Sequence, residues 1–143
     1  MIKSMVLVDD ESLFHMVVED ACSTINLTDS LQNIYSTDEA ETYFKDLNNN
    51  TKTKPECILV DLNLIGSPID GIELVRRINH VYSLGIVVGM ISSSRDQNEQ
   101  NRAKNAGAQF WIVKTDEIEP RLEKFHSDYR SFVEKTAPFT IYN

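Results

Sequence analysis

Four short apolar runs in this chain are each followed by polar residues that can do chemistry. The runs are Met5–Val8, Cys57–Val60, residues 85–91 and Phe110–Val113. The polar residues after them are, in chain order, Asp9, Asp10, Glu11, Asp61, Ser92, Ser93, Ser94 and Lys114. Clustered carboxylates repel one another, and a hard divalent cation such as Mg²⁺ is their natural partner. A lysine and a hydroxyl beside them would bind phosphoryl oxygens, so the set suits phosphoryl transfer.

Among these residues, Asp61 has the most specific predicted chemical role. It ends an apolar run that is typical of a buried strand, and a buried carboxylate is costly unless a charged or hydrogen-bonding group meets it. A carboxylate in that position can act as a nucleophile and form an acyl phosphate. Taken singly, each of these polar residues would be interpreted as a turn or cap residue. Their coincidence at four strand ends favours a functional site.

The elements that must position these residues alternate between strand and helix patterns. A weaker strand pattern covers residues 31–35, and helix patterns begin near Ser12, Thr37, Gly71 and Glu117. Such alternation predicts an α/β fold with a parallel sheet, whose continuous apolar strands are covered on both faces. In such folds the site lies outside the carboxyl ends of the strands. The four polar sets should therefore share one edge of the sheet.

The helices differ in how much apolar surface they offer. In the first helix, an expected apolar face at helical spacing is formed by Leu13, Val17, Ala21 and Ile25 and is widened by Phe14, Met16 and Val18. Residues 96–105, DQNEQNRAKN, should form the fourth helix but have almost no apolar face, so we expect this segment to be mobile or displaced in the unphosphorylated form. The last helix has an apolar stripe over four turns, and the tail TAPFTIYN adds more apolar residues. We expect part of this surface to serve a homodimer or a protein partner.

Composition excludes several classes of function. The chain has 14 basic and 22 acidic residues and a formal net charge of −8, without the basic patch of a nucleic-acid-binding surface. No apolar run is as long as a membrane span, and the N-terminus MIKSMVLVDDE becomes acidic where a signal peptide needs apolar residues. We expect one domain in the cytoplasm, with no direct contact to nucleic acid or membrane.

In their order along the chain, the segments LVDDE, ILVDLNL, GMISSS and AGAQFWIVK resemble the receiver domain of two-component response regulators. The resemblance extends from about residue 3 to residue 126, and Lys114 follows Ser92 by 22 positions, as in that family. It implies a flavodoxin-like (βα)5 fold, a doubly wound parallel sheet with strand order 2-1-3-4-5. Residues 1–126 would form the receiver domain, and residues 127–143 an extended last helix and C-terminal tail.

The resemblance also assigns the acceptor and its metal. Asp61 would be the phosphoryl acceptor, and Asp9 and Asp10 would hold Mg²⁺ together with it. The main-chain carbonyl of Asn63 would be a further ligand. The donor would be the phosphohistidine of a sensor histidine kinase or of a histidine phosphotransfer protein in a phosphorelay. The only catalysis implied is self-phosphotransfer and slow autodephosphorylation, followed by a signal to an unknown downstream protein.

The same resemblance assigns the residues of a conformational switch. Ser92 would be the switch hydroxyl, and Lys114 would pair with the phosphoryl oxygens. Trp111 would occupy the switch-aromatic position and turn from exposed to buried on phosphorylation. Static packing of this indole at the sheet edge is the alternative.

Two departures from the family pattern stand beside the site. Thr115 follows Lys114 where the family usually has a proline after a cis peptide, so we expect a trans bond or a strained cis bond. The loop LNLIGSPIDG after Asp61 is about two residues longer than usual. It would alter partner choice or the rate of phosphoryl loss, or be a tolerated surface insertion.

Three other functions remain open from the sequence. Beside the favoured stand-alone receiver, the chain could be the receiver part of a larger regulator with a separate output domain. A pseudo-receiver would bind partners without being phosphorylated. A haloacid-dehalogenase-like phosphatase also uses an aspartyl nucleophile but needs a second aspartate two residues later, where this chain has Asn63.

Overall fold

One parallel sheet of six strands forms the centre of the fold in the computed structural model, which describes residues 1–143. The strands are β1 (Met5–Val8), β2 (Leu31–Ile34), β3 (Cys57–Val60), β4 (Val87–Ser92), β5 (Phe110–Val113) and β6 (Thr140–Tyr142). The helices are α1 (Ser12–Ile25), α2 (Thr37–Asn48), α3 (Gly71–Arg76, continued by a π-helical turn over Arg77–Val81), α4 (Gln97–Ala106) and α5 (Ile118–Val133). The strand order is β2-β1-β3-β4-β5-β6, which confirms the predicted order of the first five strands.

Helices cover both faces of the sheet, as the continuous apolar strands predict. Alternate residues of β1 show the division, because side chains along a strand point to opposite faces. Val6 and Val8 join a core of 24 buried residues with α2, α3 and α4. Met5 and Leu7 join a second core of 19 buried residues with α1 and α5. None of the five helices is long and apolar enough to cross a lipid bilayer.

The register of the strands brings their carboxyl ends to one edge. Val8, the last residue of β1, lies beside both Ile34 and Val60, and Ser92 at the end of β4 lies beside Val113. The residues that follow these positions therefore leave the sheet at the same level. This confirms that the polar sets share one edge.

The C-terminal tail forms a sixth strand that the sequence interpretation missed. After α5 the chain returns along β5, and Trp111 lies beside Ile141 in the parallel ladder. Tyr142 is buried, and its hydroxyl donates a 2.7 Å hydrogen bond to the Asp128 carboxylate of α5. Its ring also meets that of Phe125 edge-on, with centroids 6.2 Å apart. Part of the apolar surface of the last helix and tail was expected to serve a dimer or partner; within the tail, Tyr142 instead packs on its own sheet.

The buried face of α1 is only part of the apolar face expected for this helix. Leu13 and Val17 are 70% and 45% exposed, whereas Phe14 and Val18 are buried. Both pairs have helical spacing, so spacing alone could not choose between them. The inward side also carries His15, whose ring hydrogen-bonds the end of β1, and this polar anchor fixes the rotation of the helix.

Helix α4 forms despite its narrow apolar stripe. Asp96 caps its first turn through a 3.2 Å hydrogen bond from the amide of Asn98, and Gly107 ends it in the left-handed conformation. Gln100 and two alanines are its buried residues. A stripe this small gives the helix little packing energy, and its mobility stays a prediction.

Replacing Tyr142 tests whether β6 is a structural part of the domain. Tyr142→Ala should lower the free energy of unfolding by about 3 kcal/mol, because a buried aromatic ring and its hydrogen bond are lost. Ile141→Ala, at the neighbouring and 39% exposed position, should cost less than about 1 kcal/mol. Urea unfolding followed by circular dichroism measures both. Equal effects of the two substitutions would contradict a docked strand.

Candidate functional site

Three carboxylates meet where β1 and β3 end. Asp9 and Asp10 follow β1, Asp61 follows β3, and one oxygen from each lies within 4.8 Å of the others. Asp9 and Asp61 are buried, while Asp10 is partly exposed. Like charges held this closely out of water require a cation.

Lys114 supplies one cation from the end of β5. Its Nζ lies 2.6 Å from Asp9 Oδ2 and 3.4 Å from Asp61 Oδ1, and 4.1 Å from the centroid of the Phe14 ring. Its own main-chain amide donates to the carbonyl of Ser92, which continues the β4–β5 ladder. All peptide bonds are trans, so the bond between Lys114 and Thr115 is trans as well. With this trans bond, the ammonium group of Lys114 still contacts the Asp9 and Asp61 carboxylates.

The charge of the cluster is not balanced by the protein alone. Three carboxylates face one ammonium group, and the Asp61 side chain is also largely desolvated. Burial is the main reason that the pKa of Asp61 is raised from 3.8 to about 6; Lys114 opposes the rise, and Asp9 adds to it. The site therefore has excess negative charge and would be stabilised by a further cation.

The long loop after Asp61 folds across the acidic cluster. The main-chain amide of Ile65 donates a 2.8 Å hydrogen bond to Asp10 Oδ2. Farther along, Ser67 Oγ donates to Thr37 Oγ1 at the start of α2, over 2.7 Å. The carbonyl of Asn63 accepts no hydrogen bond within the protein. The loop thus orients the Asp10 carboxylate and leaves the carbonyl of Asn63 without a hydrogen-bond donor from the protein.

Ser92 and Trp111 are joined through the serine run at the end of β4. Ser92 is fully buried, and its Oγ accepts a 3.2 Å hydrogen bond from the amide of Ser94. Trp111 is also fully buried, and its Nε1 donates to the carbonyl of Ser94 over 3.1 Å. Ser94 Oγ in turn donates to Glu99 in the first turn of α4. The indole expected to start exposed is thus already inside in this structure.

His15 is a buried residue of the site that the sequence interpretation missed. Its Nε2 lies 2.6 Å from the main-chain carbonyl oxygen of Asp9, and its Nδ1 lies 2.6 Å from Asn33 Oδ1 on β2. The Asn33 amide nitrogen donates to Glu19, which directs the Asn33 oxygen towards the ring. Both neighbours of the ring are oxygen acceptors, so a neutral imidazole donates to only one of them; donation from Nε2 to the Asp9 carbonyl is the contact that holds the main chain of Asp9. The available signal was a polar residue at a core-facing helical position.

Gly71 lets α3 begin against the end of β3. A Cβ atom at this position would overlap the carbonyl oxygen of Asp61, so only glycine permits the close approach. Its amide donates to the carbonyl of Leu62 over 2.9 Å, and Asp70 caps the helix through the amide of Glu73. These contacts hold the backbone that carries the Asp61 carboxylate.

The geometry supports binding of a hard cation together with an oxyanion. The three carboxylates offer oxygen ligands within 4.8 Å of one another, and the carbonyl of Asn63, two residues after Asp61, accepts no hydrogen bond from the protein. The ammonium of Lys114 lies against the same carboxylate, and the hydroxyl of Ser92 ends the neighbouring strand. A tetrahedral oxyanion bonded to Asp61 would meet positive charge and donors on several sides.

The match to a known family agrees with this geometry. Residues 5–124 match the model of the response regulator receiver domain, which is most of the chain. The chain therefore belongs to the response regulator receiver domain family. Members of this family act in two-component signalling, are phosphorylated on an aspartate and generally interact with histidine kinases or phosphotransfer proteins.

Solved structures show the same fold at low sequence identity. The phosphorylated cyanobacterial phytochrome response regulator RcpA is 22% identical over 96% of this chain and 97% of its own, with a TM-score of 0.73. The Mn²⁺-bound response regulator Rcp1 is 19% identical over 92% and 95%, with a TM-score of 0.72. A CheY-like receiver domain protein from Methanospirillum hungatei is 17% identical over 94% and 99%, with a TM-score of 0.72. A search of curated proteins finds no match.

The raised pKa of Asp61 predicts a stability change that needs no ligand. The folded state holds the Asp61 proton up to about pH 6, whereas the unfolded chain loses it near 3.8. The contribution of this carboxyl is therefore most favourable below pH 4 and is lost as the pH rises through 6. Without added metal, Asp61→Asn should raise the free energy of unfolding at pH 7 by about 1 to 2 kcal/mol. Urea unfolding at pH 5 and pH 7 should show a smaller gain at pH 5, and a destabilised variant would contradict this account.

Proposed function

We propose that Asp61 accepts a phosphoryl group from a phosphohistidine with the help of Mg²⁺, and that the acyl phosphate switches a protein-interaction surface. The main support for this proposal is that Lys114 forms ion pairs with Asp9 and Asp61, and a third carboxylate, that of Asp10, lies next to them. These groups come from three separate strand ends. Together they neutralise and position an acceptor carboxylate, which is the main requirement of phosphoryl transfer.

The donor set fits Mg²⁺. Two or three carboxylates, one carbonyl and water form the oxygen environment that Mg²⁺ prefers, and it leaves positions for phosphoryl oxygens. Asp9, Asp10 and Asp61 would supply the carboxylates, and Asn63 the carbonyl. When bound, the ion neutralises charge on the acceptor and the transferred group. The Mn²⁺ reported for Rcp1 supports a divalent cation here.

The chain's own residues account for the transfer step. With a pKa of about 6, the Asp61 carboxylate is largely ionised at pH 7 and can attack the phosphorus. The new oxygen–phosphorus bond forms as the phosphorus–nitrogen bond to the donor histidine breaks, and its electron pair leaves with the imidazole. Lys114, which already lies 3.4 Å from Asp61 Oδ1, pairs with the developing charge on the phosphoryl oxygens. Slow hydrolysis of the acyl phosphate by water resets the protein.

The serine run offers a route from the phosphoryl group to the surface. Phosphorylation adds about 1.5 to 2 negative charges and strong acceptor oxygens, and Ser92 can shift to donate to them. Ser92 Oγ is hydrogen-bonded to Ser94, whose carbonyl holds Trp111 and whose hydroxyl holds Glu99. Because Trp111 is already buried, the signal would be carried by moving the Ser92–Ser94 segment and α4. Rotation of the indole into the core is not needed.

The partner of the site is a protein that brings a phosphohistidine to it. Leu13, Met16 and Val17 are exposed on α1 beside the site, and Ile65 on the loop over Asp10 is 87% exposed. Exposed apolar side chains around an acidic site favour docking of a protein surface. A sensor histidine kinase or a histidine phosphotransfer protein is the expected donor. The net charge of −8 fits action through protein contacts in the cytoplasm, without direct nucleic-acid binding.

Two alternatives have less support. A pseudo-receiver needs no complete acceptor site, yet the acceptor carboxylate, two further carboxylates and the lysine are all in place. A phosphatase that turns over external substrates needs an acid/base residue two positions after the nucleophile. Asn63 at that position has no titratable side chain.

Intact-mass spectrometry after incubation with acetyl phosphate and Mg²⁺ tests the proposal. The wild-type protein should gain one phosphoryl group, and chelation of the metal should abolish the gain. Asp61→Asn should gain nothing, because the nucleophile is lost. Asp29→Asn, which removes an exposed carboxylate away from the site, should gain the group at the wild-type rate. No gain by the wild-type protein with any small donor or divalent metal would favour the pseudo-receiver.

The hydrogen bonds of His15 predict a measurable effect on the metal. His15→Phe keeps a ring in the core but removes the donor to the Asp9 carbonyl, so Mg²⁺ affinity in calorimetry should fall about tenfold. His15→Gln, which retains a donor, should recover part of this affinity. Unfolding curves of both variants serve as the control for general damage. Unchanged Mg²⁺ affinity in a folded His15→Phe protein would show that the ring does not position Asp9.

A further inference from the structure

A groove of about 710 Å³ opens at the end of the sheet opposite the acidic cluster. Ile86 and Val87 at the start of β4 and Ala108 before β5 contribute to its walls. The end of α5 contributes Phe132, and the tail contributes Phe139. The tail lies beyond residues 5–124, so part of this groove is built by residues outside the family match.

The groove combines an apolar lining with a basic rim. Nine of its 19 lining residues are hydrophobic. Lys54, Lys104, Lys135 and His80 also line it, and Glu56 is the single carboxylate among the lining residues. The groove therefore has more basic than acidic side chains, whereas the whole chain has a formal net charge of −8.

The three lysines have no acidic partner in the protein. No carboxylate lies within 4.0 Å of the ammonium groups of Lys54, Lys104 or Lys135, whereas other basic residues such as Arg77 form ion pairs. Lys54 Nζ donates a 3.2 Å hydrogen bond to the carbonyl of Leu84, which holds it against the groove. Glu56 is engaged elsewhere, since its Oε1 accepts from the amide of Lys3 over 2.6 Å. An anion in the groove would meet unpaired positive charge.

We propose that this groove is a binding site for a small organic anion with an apolar body, of the alkyl or aromatic carboxylate class. Its volume falls within the roughly 300 to 1,000 Å³ of small-molecule sites, which are mainly apolar with a few polar groups that orient the ligand. The apolar body would cover Val133 and the partly buried Tyr129 and Phe139, and the head group would lie among the lysines. This site is separate from Asp61 and does not depend on its phosphorylation.

Fluorescence titration with 1-anilinonaphthalene-8-sulfonate, an aromatic anion, tests the proposal on the full chain. The wild-type protein should bind one probe saturably. Decanoate should displace it, and the uncharged decanol should not. Asp61→Asn should bind the probe with unchanged affinity, because its carboxylate lies at the other end of the sheet.

Val133 offers a matched pair of variants, since it lines the groove and is 52% exposed. Val133→Glu should weaken probe binding about tenfold by placing a negative charge on the rim, whereas Val133→Gln should stay within about twofold. Replacing Lys54, Lys104 and Lys135 together by glutamine should also weaken it about tenfold or more. Urea unfolding shows that each variant is folded.

Three results would overturn this site. One is the absence of saturable probe binding by the wild-type protein. Another is binding that the Val133→Glu and triple-lysine variants leave unchanged. The third is displacement by decanol as effective as by decanoate, which would mark the groove as apolar without selectivity for anions.

Discussion

The ion cluster of Lys114 with Asp9 and Asp61 is the interaction on which the rest of the site depends. Carboxylates at the ends of buried strands are costly, and a single ammonium group balances only part of their charge. Burial leaves Asp61 with a pKa of about 6, so it is ionised at neutral pH but under-compensated. The divalent cation proposed above would supply the positive charge that the cluster lacks. The cluster is thus electrostatically prepared for the cation proposed here.

Three parts of the fold hold the main chain around this cluster in place. The ring of His15 fixes the main chain of Asp9, and the amide of Ile65 orients Asp10. Gly71 permits α3 to start against the carbonyl of Asp61. These contacts come from α1, the long loop and α3, and they converge on the ends of two adjacent strands. Positions that carry no chemistry of their own therefore decide how well the site is organised.

The sequence predicted the sheet and the meeting of its strand ends because both follow from patterns that parallel sheets impose. It placed both Leu13/Val17 and Phe14/Val18 on the apolar face of α1 and could not tell which pair is buried, since the two pairs have the same helical spacing. The sixth strand was missed because three residues after a long helix give no periodic signal. The amide of Ile65 was beyond prediction, because any residue but proline offers that donor. Local sequence patterns determine which segments become helices and strands. Tertiary contacts determine how each helix is rotated and which groups hold the carboxylates in place.

A crystal structure with beryllium fluoride and Mg²⁺ would test the central claim most directly, since the fluoride adduct stands in for a phosphoryl group. We predict the adduct on Asp61, the cation on Asp9 and Asp10 with the carbonyl of Asn63, and Lys114 paired with a fluoride. Cation and adduct bound at any other group, or a fully loaded crystal with Asp61 unmodified, would contradict the account.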